Sequence, residues 1–553
     1  MQGLNLNREG LGGRIALALA VIGLISFLYK MARVRLHFYR LKQQGMPMPP
    51  WDPILGHLRL MPALAKTCPS DIVQSETFAL LSTEHPGLQY GFYIDVWPFM
   101  CPMFVVASPP LAVQACQTYN LPKPSDQLAP FINPMAGGRN FFITNGAEWK
   151  HDRDLFNHAF SMSATMGHVD YILDEAAIYV ESLREHAKKG DTFSMDQLAC
   201  NYMMDVIGNV ALNTRFNHQT GHNPIAAAMR DTIELECGWQ NDNNLLRRWD
   251  VRRMYRQWRN SRTLNHHIGV ELEKRYQEWL QRDKTQNRGK SIMDIVIAEY
   301  MKTRPASQAH TATLDPEFKS WATIQIRLFL FVGHDSTAVT IIYCLYLLSK
   351  HPDTLAKIRA EHEHLFGSKD NVATQIRQHP ESLNQMPYTL AVIKETLRLF
   401  PPANALRFGT PGTSLTDPNS PNSKTFPVEG CAIWMVHTAI HRNASYWPKP
   451  HDFIPDRWLV EPGHALYPPT GGWRPFERGA RDCVGQNMAF LGIKITLAMV
   501  VREFDFESMY EEWDREHPGF GEVRTMYGER AYLVAKGAAH PAQGLPCRVR
   551  FAT

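Results

Sequence analysis

The chain lacks any close pairing of cysteines. Its nine cysteines stand at 68, 101, 116, 200, 237, 344, 431, 483 and 547, and none forms a CxxC pair. An odd, scattered set excludes a disulfide framework, and most of these residues read as small buried hydrophobes in a reducing compartment. No basic tract recurs, and a formal charge of +4 on 553 residues leaves nucleic-acid binding without support. Internal repeats and long low-complexity tracts are missing too, and no glycine-rich fingerprint for a flavin or nicotinamide occurs. With 44% hydrophobic and 20% charged residues, the composition is that of a globular protein with a large core, not a disordered or collagen-like chain.

What is present begins at the N-terminus. Ile15 to Tyr29 are apolar or small throughout, between Arg14 and Lys30. Fifteen residues cover about 22 Å of a hydrocarbon core about 30 Å thick. Adding Leu11 to Gly13 and Met31, with the flanking cations snorkelling, brings the segment near spanning length. Lys30, Arg33, Arg35, Arg40 and Lys42 follow and should stay cytoplasmic, leaving a short luminal N-terminus. Small residues at a cleavage site, which a signal peptide needs, are lacking. Gly45-Met-Pro-Met-Pro-Pro50 and Trp51 to Gly56 then read as a stiff spacer. The expected division is 1–31 for the luminal end and transmembrane anchor, 32–56 for a basic, proline-rich hinge, and 57–553 for the catalytic body.

Within the body, Arg304 to Glu317 and Gly409 to Gly430 are rich in Pro, Ser, Thr, Asn and Asp and read as loops. Neither is a domain linker, because the motifs on both sides belong to one site. The apolar run Trp321 to Leu348 contains Arg327, His334 and Asp335, which are expensive at bilayer depth, so a helix crossing the protein core is expected. The coarse reading is one large domain, mainly α with small β-sheets.

One cysteine stands apart by its neighbours. In Phe476-Glu-Arg-Gly-Ala-Arg-Asp-Cys-Val-Gly485, Gly479 and Gly485 permit turns that bring backbone N–H groups close to a bound group, and Arg481 supplies a counter-charge. Gln486 to Val501 is apolar almost all round, as a buried helix is. Cys483 thus precedes a helix whose positive dipole end favours thiolate, the form that binds metals. The string FxxGxRxCxG resembles the cysteine loop of the cytochrome P-450 family, and four other segments fall in that family's order. Trp149 and Arg153, four apart and able to share one helical face, resemble its WxxxR pair. Val332-Gly-His-Asp-Ser-Thr337 resembles its (A/G)Gx(D/E)T(T/S), departing from it at Val332 and Ser336. Glu395 and Arg398 resemble its ExxR, with Arg457 in Phe453-Ile-Pro-Asp-Arg-Trp458 as third partner. Arg407 follows Pro401-Pro402 where the family often places a propionate-binding arginine.

The resemblance implies the family's fold and haem b (iron protoporphyrin IX) between the long helix and the cysteine loop. Cys483 would be the iron ligand, with Phe476, Gly479 and Gly485 shaping its loop. Arg481, Arg407, Arg153 and Trp149 would meet the propionates. Glu395, Arg398 and Arg457 would form a structural triad that fixes geometry. Asp335 with Ser336 or Thr337 would manage distal protons beside a groove opened where a glycine adjoins hydroxyls that bond back to carbonyls. The implied reaction inserts one oxygen atom from O2 into an apolar small molecule. Electrons would come from NADPH through a separate membrane-bound reductase flavoprotein, docked on Arg474, Arg478 and Lys449. The protein would sit in the endoplasmic reticulum membrane by a single pass, with its body cytosolic.

Pro475 to Gly479, Gly485-Gln486 and the His334-Asp-Ser stretch are similar to fungal members of secondary-metabolite pathways. Polyketide or terpenoid substrates come first, alkaloid and fatty-acyl ones stay open, and Leu121 to Phe142 is expected to carry part of the selectivity. Two rivals share Cys483. A haem-thiolate isomerase or dehydratase would need no reductase, and Gly333 to Thr337 argues against it. A non-catalytic haem sensor would show no change of spin state with apolar ligands.

Overall fold

The run expected to cross the core does so as a 35-residue helix, Pro316–Lys350. The Asp315 side chain accepts from the amides of Glu317 and Phe318, each at 3.0 Å, and Pro316 occupies the first turn, where its missing N–H is harmless. In this computed structural model, which describes residues 6–237, 250–281, 291–303, 313–518 and 523–552, 83% of the helix's apolar window is buried. The charge within it is satisfied locally. Arg327 donates to the carbonyls of Met135 and Pro134, to Ser261 Oγ and to Asn265 Oδ1, capping the C-terminal end of the helix Ser125–Ala136.

Other helices pack around this axis. Met195–Leu212 lies along it so closely that Gly333 is required: a Cβ there would come within 2.6 Å of Ile207 Cδ1. Gln486–Val500 forms the helix expected after the cysteine, and Pro387–Leu399 carries the ExxR residues. The largest sheet has four short strands in the order Gly91–Ile94, Met103–Val106, Ala432–Met435, Ala405–Phe408, its inner pair parallel. Three smaller sheets complete a mainly helical fold with small sheets.

Two loop expectations change. Gly409 to Gly430 contains an antiparallel pair, Ser414–Thr416 with Thr425–Pro427, because Leu415 and Phe426 alternate inward among polar neighbours. In the other segment, Pro316 and Glu317 already belong to the long helix, while residues 304–312 fall outside the described ones. The expected substrate loop at Leu121 to Phe142 contains the helix Ser125–Ala136.

At the N-terminus a single helix, Leu6–Gln43, is long and apolar enough to cross a membrane, and none of its apolar window is buried. It runs on without a break through the first part, 32–43, of the segment expected to be a hinge. Met31 to Gln43 is rich in good helix formers, and the body holds it. Arg35 pairs with the fully buried Asp95 and donates to the carbonyls of Ile54 (2.9 Å) and Trp97 (3.3 Å). The Trp51 indole donates to Asp95 at 2.9 Å, and Phe38 and Leu41 are buried, so the proline-rich stretch is pinned to the body.

Candidate functional site

The cysteine loop closes on itself through the Cys483 amide, which donates to the Phe476 carbonyl at 2.8 Å. Phe476 packs edgewise on Trp473 and tilted on Phe490, which fixes the outer limb. Gly479 adopts φ +100° where a Cβ would run into the Cys116 carbonyl, so this turn needs glycine. Gly485 differs from expectation: its φ is −84°, which any residue adopts. Its lack of a side chain instead leaves room at the sulfur, 3.9 Å from where a Cβ would stand. Cys483 is the exposed one among the nine cysteines, yet protein walls it in. Burial pushes its thiol up, and the Gly485 amide and Arg153 oppose that rise.

Arg153 acts directly on this sulfur, and further cations extend from it through Arg481 to Arg407 and Lys123. Arg481 lies over the Trp149 ring, 4.2 Å from its centroid, and donates to the Thr144 carbonyl and to Asn145 Oδ1, each at 2.9 Å. Trp149 and Arg153 share the helix Gly146–Ala159, but they do not converge on one acceptor: Arg153 is engaged by Asp482. Arg407 is fully buried. It donates to the Leu406 carbonyl at 2.9 Å, while its Nε and Nη2 find no acceptor among the described residues. Lys123 joins the group, since the Phe408 amide donates to the Pro122 carbonyl at 2.9 Å and Asn145 accepts from the Lys123 amide. Burial first, then Arg407 and Arg481, push the Lys123 amine far below its ordinary range. Burial and the same neighbourhood lower Arg481 to about 10. A cluster that repels itself and leaves guanidinium donors unused is built for anionic groups.

Opposite, the long helix presents Val332 and Ser336. Val332 is 36% exposed in mid-helix, and the half-buried Ser336 hydroxyl donates back to the Val332 carbonyl at 3.1 Å. Thr337 is buried, donates to the Gly333 carbonyl at 3.3 Å, and faces Gly492 of the helix after the cysteine. The expected groove is not where the glycine is: Gly333 serves the packing of Ile207, and the helix continues unbroken. Asp335 is buried and turned away from Ser336, toward the C-terminal hairpin formed by Leu533–Lys536 and Ala538–Pro541.

Glu395, Arg398 and Arg457 meet with no solvent access. Arg398 donates to both Glu395 oxygens at 2.9 and 2.8 Å, and Arg457 Nε to one of them at 3.0 Å. Trp458 and the Ile454 amide complete the carboxylate's partners. Burial works to raise Glu395, and the two arginines overcome it. Arg474, expected on a docking face, is instead buried and paired with Glu477, because its amide and side chain close the back of the cysteine loop. Arg478 and Lys449 are exposed.

A sequence profile described as Cytochrome P450 matches residues 86–525. The chain belongs to the cytochrome P450 family. It is 35% identical over 537 residues to cytochrome P450 monooxygenase polC of Polytolypa hystricis, covering 96% of this chain and 94% of that protein. It is 34% identical over 487 residues to cytochrome P450 monooxygenase acrF of Aspergillus aculeatus, covering 83% and 93%. A crystal structure of the cytochrome P450DA heme domain shares the fold, with a TM-score of 0.69 at 18% identity over 92% of this chain and 97% of that one. This cytochrome P450 is accordingly an oxygen-incorporating oxidoreductase of a haem-thiolate family.

The residues present fit that family's group. Cys483 is exposed, and the cation chain that begins at Arg153 includes Arg407 nitrogens with no acceptor among the described residues and a Lys123 amine whose charge burial opposes, a donor set suited to a group carrying two carboxylates. Sequence reasoning missed Lys123, Asp482, and the buried His540 and Asp196 that follow one another behind Asp335, His540 Nε2 at 2.8 Å from Asp335 and its Nδ1 on Asp196. Asp482 adjoins Cys483 and was open to inspection; the others carry no local signal, because only the fold brings them here.

Proposed function

We propose that this cytochrome P450 inserts one oxygen atom from O2 into an apolar small molecule of a fungal secondary-metabolite pathway, with haem b that Cys483 would hold through its iron. The carrying observation is a chain of cations that starts at the exposed Cys483 with Arg153 and runs through Arg481 to a buried Arg407 whose Nε and Nη2 have no acceptor among the described residues. Haem bound there would supply the activation of O2. Cys483 would give the thiolate, whose charge iron offsets where burial alone resists it. Arg407, Arg481 and Lys123 would bind the carboxylates, and Arg153 could join by exchanging Asp482 for one of them. Trp149 would hold Arg481 flat by stacking. Glu395, Arg398 and Arg457 would keep the Pro387–Leu399 helix and the chain before the cysteine loop in fixed register.

Ser336 is better placed than Thr337 for the distal hydroxyl, since it shares the accessible face with Val332 while Thr337 packs inward. Asp335 would act as the distal acid after turning from the hairpin. Electrons would come from NADPH through a separate membrane-bound reductase, docked on Arg478 and Lys449. The helix Leu6–Gln43 would anchor the protein in the endoplasmic reticulum by a single pass, with the body cytosolic. The relatives' fungal sources make a polyketide or terpenoid the first substrate class to test.

The deciding experiment is the carbon monoxide difference spectrum of the reduced protein. The wild type should show the long-wavelength thiolate band and Cys483→Ser should lose it. A band that survives in the variant would refute the ligand assignment.

A further inference from the structure

The hydrogen-bond partners of Asp335 come from the C-terminal hairpin, and one of them, His540, is held in turn by the helix Met195–Leu212; no family motif quoted above touches either element. His540 of the hairpin stands between two buried carboxylates, its Nε2 at 2.8 Å from Asp335 Oδ1 and its Nδ1 at 2.5 Å from Asp196 Oδ1. The three residues are 3%, 4% and 8% exposed for His540, Asp335 and Asp196. Ionised carboxylates only accept, so both ring nitrogens donate and the ring is an imidazolium. The remaining Asp335 oxygen accepts from the Ala538 amide. Gly537, at φ +100°, forms the hairpin turn where a Cβ would collide with that oxygen. Asp335 therefore has both oxygens committed on the side away from Ser336.

The charged and titratable surroundings favour this arrangement. From the hairpin, Lys536 Nζ lies 3.4 Å from Asp196 Oδ2 and balances the second carboxylate. From the helix Met195–Leu212, the Cys200 thiol lies 3.7 Å from Asp196. On the long helix, His334 Nε2 lies 3.9 Å from Asp335, while its Nδ1 meets the Leu330 carbonyl. The helix Pro224–Cys237 contributes Cys237 and Arg230, the latter bonded to Asn201 and His218. Burial lowers the basicity of His540, but Asp196 and Asp335 outweigh it and raise the ring to about 10. Burial works to raise Asp335, and His540 first among its partners holds it below the ordinary carboxylate range. Asp196, Cys200 and His540 also lie within 4.8 Å of one another as possible metal donors, but the Lys536 ammonium on the same carboxylate makes the set an ion-pair network.

We propose that His540 is a positioning residue for the distal acid. By sharing its two N–H groups between Asp196 and Asp335, it keeps Asp335 ionised and turned to the hairpin. The carboxylate then reaches the Ser336 side only when His540 releases it. The inference rests on the distal role given to Asp335 above and extends it to two residues from elsewhere in the chain. His540 touches neither substrate nor haem in this scheme; it acts through Asp335.

His540→Gln removes the cation and keeps a side chain that can donate one hydrogen bond. Burial raises a carboxyl group that no cation offsets, so Asp335 should take up a proton once the imidazolium is gone. Infrared spectroscopy of the haem-loaded variant should then show a protonated-carboxyl C=O band absent from wild type. His540→Gln/Asp335→Asn should lose that band. Asp196→Asn, which leaves His540 to Asp335, should not produce it. In parallel, peroxide released per NADPH oxidised, measured with reductase and no substrate, should acquire a pH dependence between about 6 and 8 in His540→Gln that wild type lacks. Absence of both the band and the pH dependence would overturn the proposal. Loss of the carbon monoxide thiolate band in His540→Gln would also overturn it, because the residue would then support the whole pocket. Failure of the haem-thiolate reading itself is distinct: the wild type would lack that band, or Cys483→Ser would keep it.

Discussion

Replacing Arg407 by methionine should shift stability in opposite directions with and without haem. The residue is fully buried, and among the described residues its Nη1 donates to the Leu406 carbonyl while its Nε and Nη2 have no acceptor. An unsatisfied buried polar group costs about 1–3 kcal/mol, and a charged one more. It also sits in a cluster of like charge with Lys123 and Arg481. Methionine fills similar space and needs no partner, so haem-free Arg407→Met should be more stable than haem-free wild type by about 1–3 kcal/mol. With haem present the same nitrogens would bind a carboxylate, and a hydrogen bond to a charged group contributes about 1.5–3 kcal/mol. The variant should therefore hold haem about 10- to 150-fold more weakly, at 1.4 kcal/mol per factor of ten. Urea unfolding of the two haem-free proteins gives the first quantity, and the rate of haem transfer to an apoglobin acceptor follows the second. A haem-free variant less stable than wild type, with haem retention unchanged, would mean that Arg407 is a structural cation and that the anion-site argument is wrong.

Glu395→Gln should lower stability by about 3–5 kcal/mol in chemical unfolding, because it strands Arg398 and Arg457 without a counter-ion where neither touches solvent. Ser336→Ala should raise peroxide released per NADPH oxidised, whereas Thr337→Ala should mainly lower the melting temperature; the reverse pattern would move the hydroxyl role one residue on. Deleting residues 1–30 should release the protein from membranes with its fold intact. Deletion through Gln43 should cost about 3 kcal/mol or more in urea, since Phe38 and the partner of buried Asp95 are lost. The imidazolium between Asp196 and Asp335 predicts a pH signature in the stability of wild type relative to His540→Gln. Because His540 is raised from 6.5 to about 10, its contribution is fully present below pH 6.5 and is lost as pH rises through about 10. At the acid end Asp196 and Asp335, both lowered from 3.8, lose theirs as pH falls below that value. Thermal unfolding of both proteins across that range checks it.

The parts of this protein that were legible in the sequence are those whose physics is local. An apolar run with three interior charges has to be a core helix, and Pro316–Lys350 is one. Two charges three apart on a helix can be seen to share a face, as Glu395 and Arg398 do. What local pattern could not show is what a side chain faces when its partner is distant. Gly333 looked like an opening beside hydroxyls, yet Ile207, more than a hundred residues earlier, explains it. Arg474 counted as surface charge until the fold set it against Glu477 and His441. The anchor's basic flank looked like a hinge because the buried carboxylate that captures Arg35 is sixty residues away.

Asp335 shows why this distinction matters for function. Its position in a family motif says only that an acid stands on the long helix near the iron. Its chemistry depends on whether it is neutral or ionised and on which way it points. Both are set by groups about 140 residues before it and about 205 after it, Asp196 and His540. An acid with a free oxygen could hand a proton to Ser336 at once. Asp335 has none and, being ionised, carries no proton, so in the proposed scheme each delivery would begin by breaking a bond to the imidazolium or to the Ala538 amide and by taking up a proton, from the His540 N–H or from water. That amide lies in the turn of the C-terminal hairpin, so any ligand that shifts the hairpin also shifts the acid's partner. On the proposed role of Asp335, proton supply and hairpin position would be coupled through one carboxylate, and His540, which would set the strength of the coupling, lies far from the motif that revealed the acid.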